Sequence, residues 1–334
     1  MKVHAYAANE AAGQLSKLEY DLKEVGANDI EIKISHCSIC HSDIHLIDNA
    51  LGITKYPFVP GHEIVGTVTK AGASAKRFKA GDRVGVGWQS GSCGVCEFCS
   101  VGDENLCAKM ESTCVTQYGG YGDSFVVNEH FAIAIPEGMP SEQAAPLMCG
   151  GVTVYQPLRY YGIKPNMKTA VVGIGGLGHI AIQFLAAMGC EVTAISSSDS
   201  KAKEAATLGA QHFISLSKEP KLDKHTNYFD FIMSTASVDL DWNAFFQALK
   251  PKGQLCLIGL NSKEITVPAA PLVFGQRTVC GSWIGSPSMI RETIEFAHRN
   301  KINVMTEQMK MDTVNAAIKK VRANEVRYRA VLTN

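Results

Sequence analysis

The sequence has no excess of either charge: its 334 residues include 32 Lys and Arg residues and 32 Asp and Glu residues. A chain without net charge has no general electrostatic attraction to nucleic acid or to an anionic membrane. No apolar run approaches the roughly 18 residues that a membrane-spanning helix requires. Residues 1–6 also lack the basic segment followed by an apolar stretch that marks a secretory signal. We therefore expect a cytoplasmic protein that acts on a small molecule, not on nucleic acid or a membrane.

Cysteine, by contrast, is plentiful, with eleven residues. In a long chain without a signal peptide, cysteines are more often metal ligands or small buried side chains than disulfide partners. Four of them, Cys93, Cys96, Cys99 and Cys107, form a C-x2-C-x2-C-x7-C pattern. Four thiolates at this spacing suit a tetrahedral zinc site that is structural, because no ligand position stays open. A four-cysteine iron–sulfur centre is the chemical alternative.

The pattern of apolar residues changes along the chain. Residues 1–150 are rich in glycine and in short β-like segments such as 31–34 and 61–68, which indicates a loop-rich β region. Residues 151–286 alternate apolar strands with helical patterns, which predicts a parallel sheet of about six strands. A tail over 287–334 adds helical patterns and a last apolar segment. A chain of this length is expected to form two domains.

A glycine-rich motif follows the first apolar strand of the second region. Residues 173–178 read G-x-G-x-x-G between an apolar segment and a helical pattern, which is the context of a dinucleotide-binding fingerprint. Its glycines let the backbone approach a pyrophosphate at the helix N-terminus. A turn with only a packing role is the alternative. The predicted cofactor-binding residues of this motif are Gly173, Gly175, Gly176, Leu177 and Gly178.

The end of the next strand distinguishes the two nicotinamide cofactors. An Asp or Glu at this position binds the free ribose 2'-hydroxyl of NAD(H), but the sequence has Ser196 there. The hydroxyls of Ser197 and Ser198, together with Lys201, favour the 2'-phosphate of NADP(H). Asp199 lies close enough to keep NAD(H) as an alternative. Serines would also suit a polar loop that caps a helix.

A second group of metal-binding residue types is dispersed along the chain and consists of Cys40, His62 and Cys149. One histidine and two cysteines would leave a zinc ion with an open fourth position, as in a catalytic site. Their spacing alone does not select these three residues. On composition alone, His62 is more often a core histidine and Cys149 more often a small buried residue.

Taken together and in this order along the chain, the motifs above and several short segments resemble the zinc-dependent medium-chain alcohol dehydrogenases. The resemblance is strongest to the cinnamyl alcohol dehydrogenase-like branch. The resemblance spans essentially the whole chain and lies in residues 40–43, 61–66, 81–84, 149–153, 173–178 and 327–329 and in the four-cysteine lobe. It implies a GroES-like β-rich catalytic domain over 1–150 and 287–334. It also implies a Rossmann domain, a doubly wound parallel α/β sheet, over 151–286. The outer sheet edge near residues 279–284 resembles the family's pairing surface, which implies a homodimer, with a tetramer as the alternative.

The resemblance implies a role for each matched site residue. A catalytic zinc would be held by Cys40, His62 and Cys149, with Glu63 as an occasional further ligand, and Asp43 would orient His62. Ser42 would hydrogen-bond the substrate oxygen, and His45 would pass the proton to solvent through the cofactor ribose. His41 and Arg329 would contact the pyrophosphate, and Thr153 would contact the nicotinamide ring.

The implied activity is hydride transfer between NADP(H) and primary alcohols or aldehydes, mainly aldehyde reduction, with two zinc ions per chain. A polyol dehydrogenase is the nearest alternative, disfavoured because such relatives commonly have Glu where this chain has Cys149. A non-catalytic cofactor-binding protein or thiol sensor is an alternative of another class. Trp88, just before the four-cysteine lobe, is interpreted either as a wall of the substrate pocket or as a core residue.

Overall fold

The computed structural model describes residues 1–260 and 264–334 and divides them into two compact units. Unit one consists of Met1–Val152, Ile284–Arg299 and Val304–Asn334, and unit two of Thr153–Trp283 and Asn300–Asn303. Among the described residues, no helix has the length and apolar character needed to cross a membrane.

Strands and helices are numbered in chain order. The strands are β1 (Lys2–Ala7), β2 (Ser16–Asp21), β3 (Asp29–Ser38), β4 (Ile64–Ala71), β5 (Arg83–Val86), β6 (Gln89–Gly91), β7 (Glu111–Ser112), β8 (Ser124–Asn128), β9 (Ala132–Ala134), β10 (Lys168–Val172), β11 (Glu191–Ser196), β12 (His212–Ser215), β13 (Phe229–Ser234), β14 (Leu249–Leu257), β15 (Thr278–Gly281), β16 (Thr306–Lys310) and β17 (Arg329–Thr333). The α-helices are α1 (His41–Ile47), α2 (Glu97–Val101), α3 (Ser141–Pro146), α4 (Val152–Tyr160), α5 (Gly178–Ala187), α6 (Ala202–Thr207), α7 (Trp242–Ala248), α8 (Ala269–Gly275), α9 (Pro287–Arg299) and α10 (Val314–Arg322).

Unit one is built around a seven-stranded sheet in the order β16-β17-β3-β4-β5-β9, with β8 also paired to β3. The last strand, β17, runs antiparallel to β3 and brings the end of the chain into this sheet. The strand predicted over 61–68 begins only at Ile64. Gly61 precedes it with φ of +103°, and a Cβ there would collide with Tyr121 and Cys37, so this position requires glycine.

Unit two contains the predicted parallel sheet of six strands, in the order β12-β11-β10-β13-β14-β15. This is the doubly wound order in which ligands bind at the carboxyl ends of the strands, where the strand order reverses between β10 and β13. The apolar pattern of the sequence does not locate β12. With only four residues and a polar residue at each end, His212 and Ser215, this strand lacks the apolar run of its neighbours.

The turn between β10 and α5 has the backbone that its glycines predict. Gly173 has φ of +90°, which favours glycine. A Cβ on Gly178 would overlap the carbonyl oxygen of Gly173, so the helix starts in direct contact with the turn. A Cβ on Gly175, in contrast, would meet no atom of residues 1–260 or 264–334 within 4 Å. The turn therefore leaves open space at Gly175, as a phosphate-binding loop requires.

Substitutions at these two glycines should have separable effects. We expect Gly178→Ala to destabilise the protein by about 1–3 kcal/mol, because the new methyl group must displace the backbone of Gly173. Gly175→Ala should leave the unfolding midpoint unchanged but weaken NADPH binding, because its methyl group occupies the open space. Calorimetry and a fluorescence titration measure both properties. Equal unfolding midpoints for the two variants would contradict the close contact at Gly178.

Candidate active site

Unit one brings four dispersed residues into one buried cluster. Cys40 lies immediately before α1, His62 and Glu63 immediately before β4, and Cys149 in a π-helical turn that follows α3. Their ligand atoms all lie within 4.8 Å of one another. Two thiols, an imidazole and a carboxylate, supplied by three separate segments, form the donor set that a catalytic zinc site uses.

The Asp43 carboxylate fixes the orientation of this cluster. It is fully buried, and one of its oxygens accepts a hydrogen bond from the Cys40 backbone N–H at 3.0 Å. The other accepts from the Gly61 N–H at 3.0 Å and lies 2.8 Å from Nδ1 of His62. A carboxylate at this position holds the proton of the ring on Nδ1 and leaves Nε2 with its lone pair.

The fit of the cluster to a metal ion rests on that second nitrogen. Nε2 of His62 is buried and has no hydrogen-bond partner among the residues that the structure describes, and a buried polar atom without a partner is costly. A hydrogen bond with Cys149 lowers the pKa of the Cys40 thiol well below its usual range, against the opposing effect of burial. Zinc binds thiolates and imidazole nitrogens that carry a lone pair, so Cys40 and His62 both suit a zinc ion.

The Glu63 carboxylate forms an ion pair with Arg329, the first residue of the last strand. The guanidinium of Arg329 pairs with both carboxylate oxygens, and the Gly150 N–H donates to one of them at 3.3 Å. Burial raises the pKa of Glu63 to about 6, although the charge of Arg329 acts in the opposite direction. Arg329 is itself buried and faces Glu63. Its predicted contact with a cofactor pyrophosphate stays a prediction.

Helix α1 carries the other polar residues that the sequence analysis assigned to this site. Ser42 lies next to the cluster, with its Oγ 3.7 Å from the Cys40 sulfur. His41 and His45 lie on the same helix but are exposed to solvent. Ser42 is thus at the metal cluster and the two histidines are outside it. Their roles in proton transfer and cofactor binding stay predictions.

Trp88 packs against the catalytic cluster. Its ring meets that of His62 edge to face, with centroids 4.8 Å apart and planes at 82°. It also contacts the group formed by Cys40, Cys149 and Ile284. Both interpretations from the sequence therefore have support, because Trp88 also packs against the main core of unit one.

The four-cysteine lobe forms a second, separate cluster. The Cys93 sulfur lies 3.9 Å from that of Cys99 and 3.6 Å from that of Cys107, and Cys96 completes the group. Zinc–sulfur bonds of 2.3 Å in a tetrahedron place the sulfurs about 3.8 Å apart. Backbone N–H groups that point to Cys93 lower its pKa to about 6. This lobe fits a structural zinc ion.

Unit two holds the predicted cofactor residues around the glycine turn. The Lys201 ammonium donates to the carbonyl of Ile174, inside the turn. Ser196 ends β11, and Ser197 and Ser198 follow it, exposed. Thr153 is buried in α4. The structure thus places a cation and three hydroxyls at the carboxyl end of β11, where a Rossmann fold binds the cofactor ribose.

Two neighbours of these sites, Lys218 and Cys114, could not be recognised from the sequence. The exposed Asp199 carboxylate pairs with the Lys218 ammonium, and the hydrogen bond from Lys218 lowers the pKa of Asp199. In unit one, the buried Cys114 thiol lies within 4.8 Å of the ligand atoms of Asp43 and His62. These contacts join residues that are distant in the chain, so no spacing pattern in the sequence predicts them.

Comparison with known proteins decides the family. Residues 26–137 match the alcohol dehydrogenase GroES-like domain, and residues 176–299 match the zinc-binding dehydrogenase family. The chain is 43% identical over 332 residues to the aldehyde reductase AdhA of Synechocystis sp., covering 99% of both chains. The protein belongs to the zinc-dependent medium-chain alcohol dehydrogenases, in the cinnamyl alcohol dehydrogenase-like branch.

Solved structures of this branch share the fold over the full length. A cinnamyl alcohol dehydrogenase from Sorghum bicolor is 39% identical, with a TM-score of 0.95 and 100% and 98% of the two chains covered. One from Helicobacter pylori, complexed with NADP(H), is 30% identical, with a TM-score of 0.91 and the same coverage. The predicted GroES-like and Rossmann folds of this alcohol dehydrogenase are thus confirmed.

Removing one ligand from each cluster should separate the two metal sites. We expect Cys40→Ser to lower the zinc content from two ions per chain to one while the unfolding midpoint changes little. Cys99→Ser should also remove one ion but lower the midpoint, because a structural zinc stabilises the fold directly. Elemental analysis and calorimetry measure both. Two zinc ions in purified Cys40→Ser protein would contradict the ligand assignment.

Proposed function

We propose that this alcohol dehydrogenase transfers a hydride between NADP(H) and primary alcohols or aldehydes and works mainly as an aldehyde reductase. The observation that carries the proposal is the buried group of Cys40, His62 and Cys149, in which His62 Nε2 finds no partner within the described part of the chain. The names of two relatives support it, since one is an aldehyde reductase and the other was solved with NADP(H).

Cys40, His62 and Cys149 would hold zinc and leave its fourth position open to substrate. Zinc, when bound, supplies Lewis acidity that polarises an aldehyde oxygen or stabilises an alkoxide. The chain contributes the orientation of the ligands. Asp43 holds His62 with Nε2 available, and the ion pair with Arg329 holds Glu63 beside the cluster.

Proton transfer would use helix α1. Ser42 Oγ is close enough to the Cys40 sulfur to reach a substrate oxygen at the cluster. In aldehyde reduction, Ser42 donates its hydroxyl proton to this oxygen and must regain one. His45 lies one helical turn further on and is exposed, so its imidazole can pass a proton between Ser42 and solvent.

Cofactor selection would depend on the loop after β11. NADP(H) supplies or accepts the hydride. The loop has no acid at Ser196 to bind a free 2'-hydroxyl, and Asp199 is engaged by Lys218. The hydroxyls of the loop and the ammonium of Lys201 would then hold the 2'-phosphate by hydrogen bonds and charge.

The substrate would lie against Trp88, whose ring contacts the His62 imidazole. An aromatic ring beside the metal ligands offers an apolar wall to aromatic or medium aliphatic aldehydes. A charged or heavily hydroxylated substrate gains little from such a wall. This contact favours an aldehyde reductase over a polyol dehydrogenase.

The test compares cofactors and substrates in one assay. Initial rates with benzaldehyde, cinnamaldehyde and butanal are measured with NADPH and with NADH, and mannitol oxidation is measured with NADP⁺ and NAD⁺. We expect aldehyde reduction with NADPH to have the highest kcat/KM. Faster turnover of mannitol, or a preference for NADH, would contradict the proposal.

Ser196→Asp should weaken the preference for NADPH over NADH. The new carboxylate would repel the 2'-phosphate, and one like-charge contact costs enough to lower the NADPH/NADH ratio of kcat/KM about tenfold or more. Thr207→Asp, which places the same charge at an exposed position at the end of α6, is the matched control. An unchanged ratio in Ser196→Asp would remove Ser196 from cofactor recognition.

A further inference from the structure

Two loops lie side by side at the carboxyl ends of β11 and β12. Ser196 and Ser215 are register partners at the ends of these parallel strands, and the Leu216 N–H donates to the Ser196 carbonyl at 2.8 Å. From Ser196 the chain enters the β11 loop (residues 197–201), and from Ser215 it enters the β12 loop (residues 216–218). The β12 loop is therefore the direct neighbour of the loop that would select the cofactor.

The two charged residues of the β11 loop have partners on opposite sides. Lys201 Nζ donates to the carbonyl of Ile174, in the glycine turn that follows β10. The Asp199 carboxylate instead forms an ion pair with the ammonium of Lys218, in the β12 loop. In the sheet, β10 and β12 lie on opposite sides of β11. The cation of the β11 loop is thus directed towards the glycine turn, and the carboxylate is directed away from it.

Two groups hold the Asp199 carboxylate on the β12 side of its loop. The hydrogen bond from Lys218 lowers the pKa of Asp199, and a hydrogen bond from Ser215 acts in the same direction. The Ser215 hydroxyl is itself 2.8 Å from that of Ser217, within the β12 loop. A cleft of about 500 Å³ is lined by Asp199, Ser215 and Lys218, among other residues. This end of the sheet therefore has room for a phosphate group beside the ion pair.

The charge of Asp199 affects which cofactor the β11 loop accepts. Asp199 is three residues from Ser196, at the end of the strand where a Rossmann fold binds the cofactor ribose. A carboxylate at this end of the strand repels the negatively charged 2'-phosphate of NADP(H) and accepts hydrogen bonds from the free 2'-hydroxyl of NAD(H). An ammonium that pairs with the carboxylate opposes both effects, because it cancels the charge and occupies an acceptor oxygen.

We propose that Lys218 is a specificity-determining residue for NADP(H), because it neutralises Asp199 and holds the carboxylate on the β12 side of the loop. This inference rests on the proposed use of NADP(H) and adds to it a residue from outside the β11 loop. Lys218 acts through Asp199 and not through a contact of its own with the 2'-phosphate. Without this lysine, Asp199 would repel the 2'-phosphate and its oxygens would be available to a ribose 2'-hydroxyl, so the preference would move towards NAD(H).

Binding of cofactor fragments to the zinc-loaded protein tests this role without turnover. Adenosine 2',5'-bisphosphate carries the 2'-phosphate and adenosine 5'-monophosphate does not, so the ratio of their dissociation constants, measured by calorimetry, isolates this phosphate. We expect Lys218→Met to reduce the preference for the bisphosphate about three- to tenfold, the effect of one charge near the surface. The NADPH/NADH ratio of kcat/KM should fall with it. Lys221→Met, which removes the same charge from an exposed lysine nearby, is the matched control and should leave both ratios unchanged.

A double variant shows whether Lys218 acts through Asp199. When Lys218→Met is combined with Asp199→Asn, the uncompensated charge is gone, so the preference for the bisphosphate should return to that of the unaltered protein. An unchanged preference in Lys218→Met would overturn the inference. So would a double variant that binds the bisphosphate as weakly as Lys218→Met, because Lys218 would then contact the phosphate itself. Failure of the proposed function is a separate result, in which the unaltered protein already binds NADH as tightly as NADPH, and it would overturn both proposals.

Discussion

The buried carboxylate of Asp43 is the interaction on which the catalytic cluster depends. It accepts hydrogen bonds from the backbone before α1 and from Gly61, and it orients His62. A buried carboxylate must keep its hydrogen-bond donors, since each unmet bond costs free energy. The segments that carry Cys40 and His62 are therefore held at fixed positions before any metal ion binds.

A second buried contact joins this cluster to the end of the chain. Arg329, at the start of β17, pairs with Glu63, and the Gly150 N–H donates to the same carboxylate. The segments around residues 63, 150 and 329 thus meet at one group. Because β17 is also paired with β3, the tail of the chain is part of the fold of unit one and also of its metal site. Truncation of the last strand would expose Glu63 without its counter-charge.

Local features of the chain could be predicted from the sequence. The glycine motif at 173–178 and the four-cysteine lobe depend on residues close together in the chain, so their spacing determines their geometry. The dispersed residues Cys40, His62 and Cys149 could not be chosen by spacing, because the sheet and the Asp43 contact bring them together. Only the resemblance to a family identified them. The Asp199–Lys218 pair and the register of Ser196 with Ser215 required the structure, since exposed charges and strand registers leave no local pattern.

The most direct test of a catalytic zinc site in unit one compares the zinc-loaded protein with its Ser42→Ala variant. The rate of NADPH oxidation with cinnamaldehyde, the dissociation constant for NADPH and the zinc content are measured for both proteins, and the rate is measured again after chelation. Loss of a proton donor at the substrate oxygen predicts a rate lower by about a hundredfold or more, with NADPH binding and zinc content unchanged. Chelation should abolish turnover in the unaltered protein. Equal rates in the two proteins, or turnover that survives removal of zinc, would contradict this assignment.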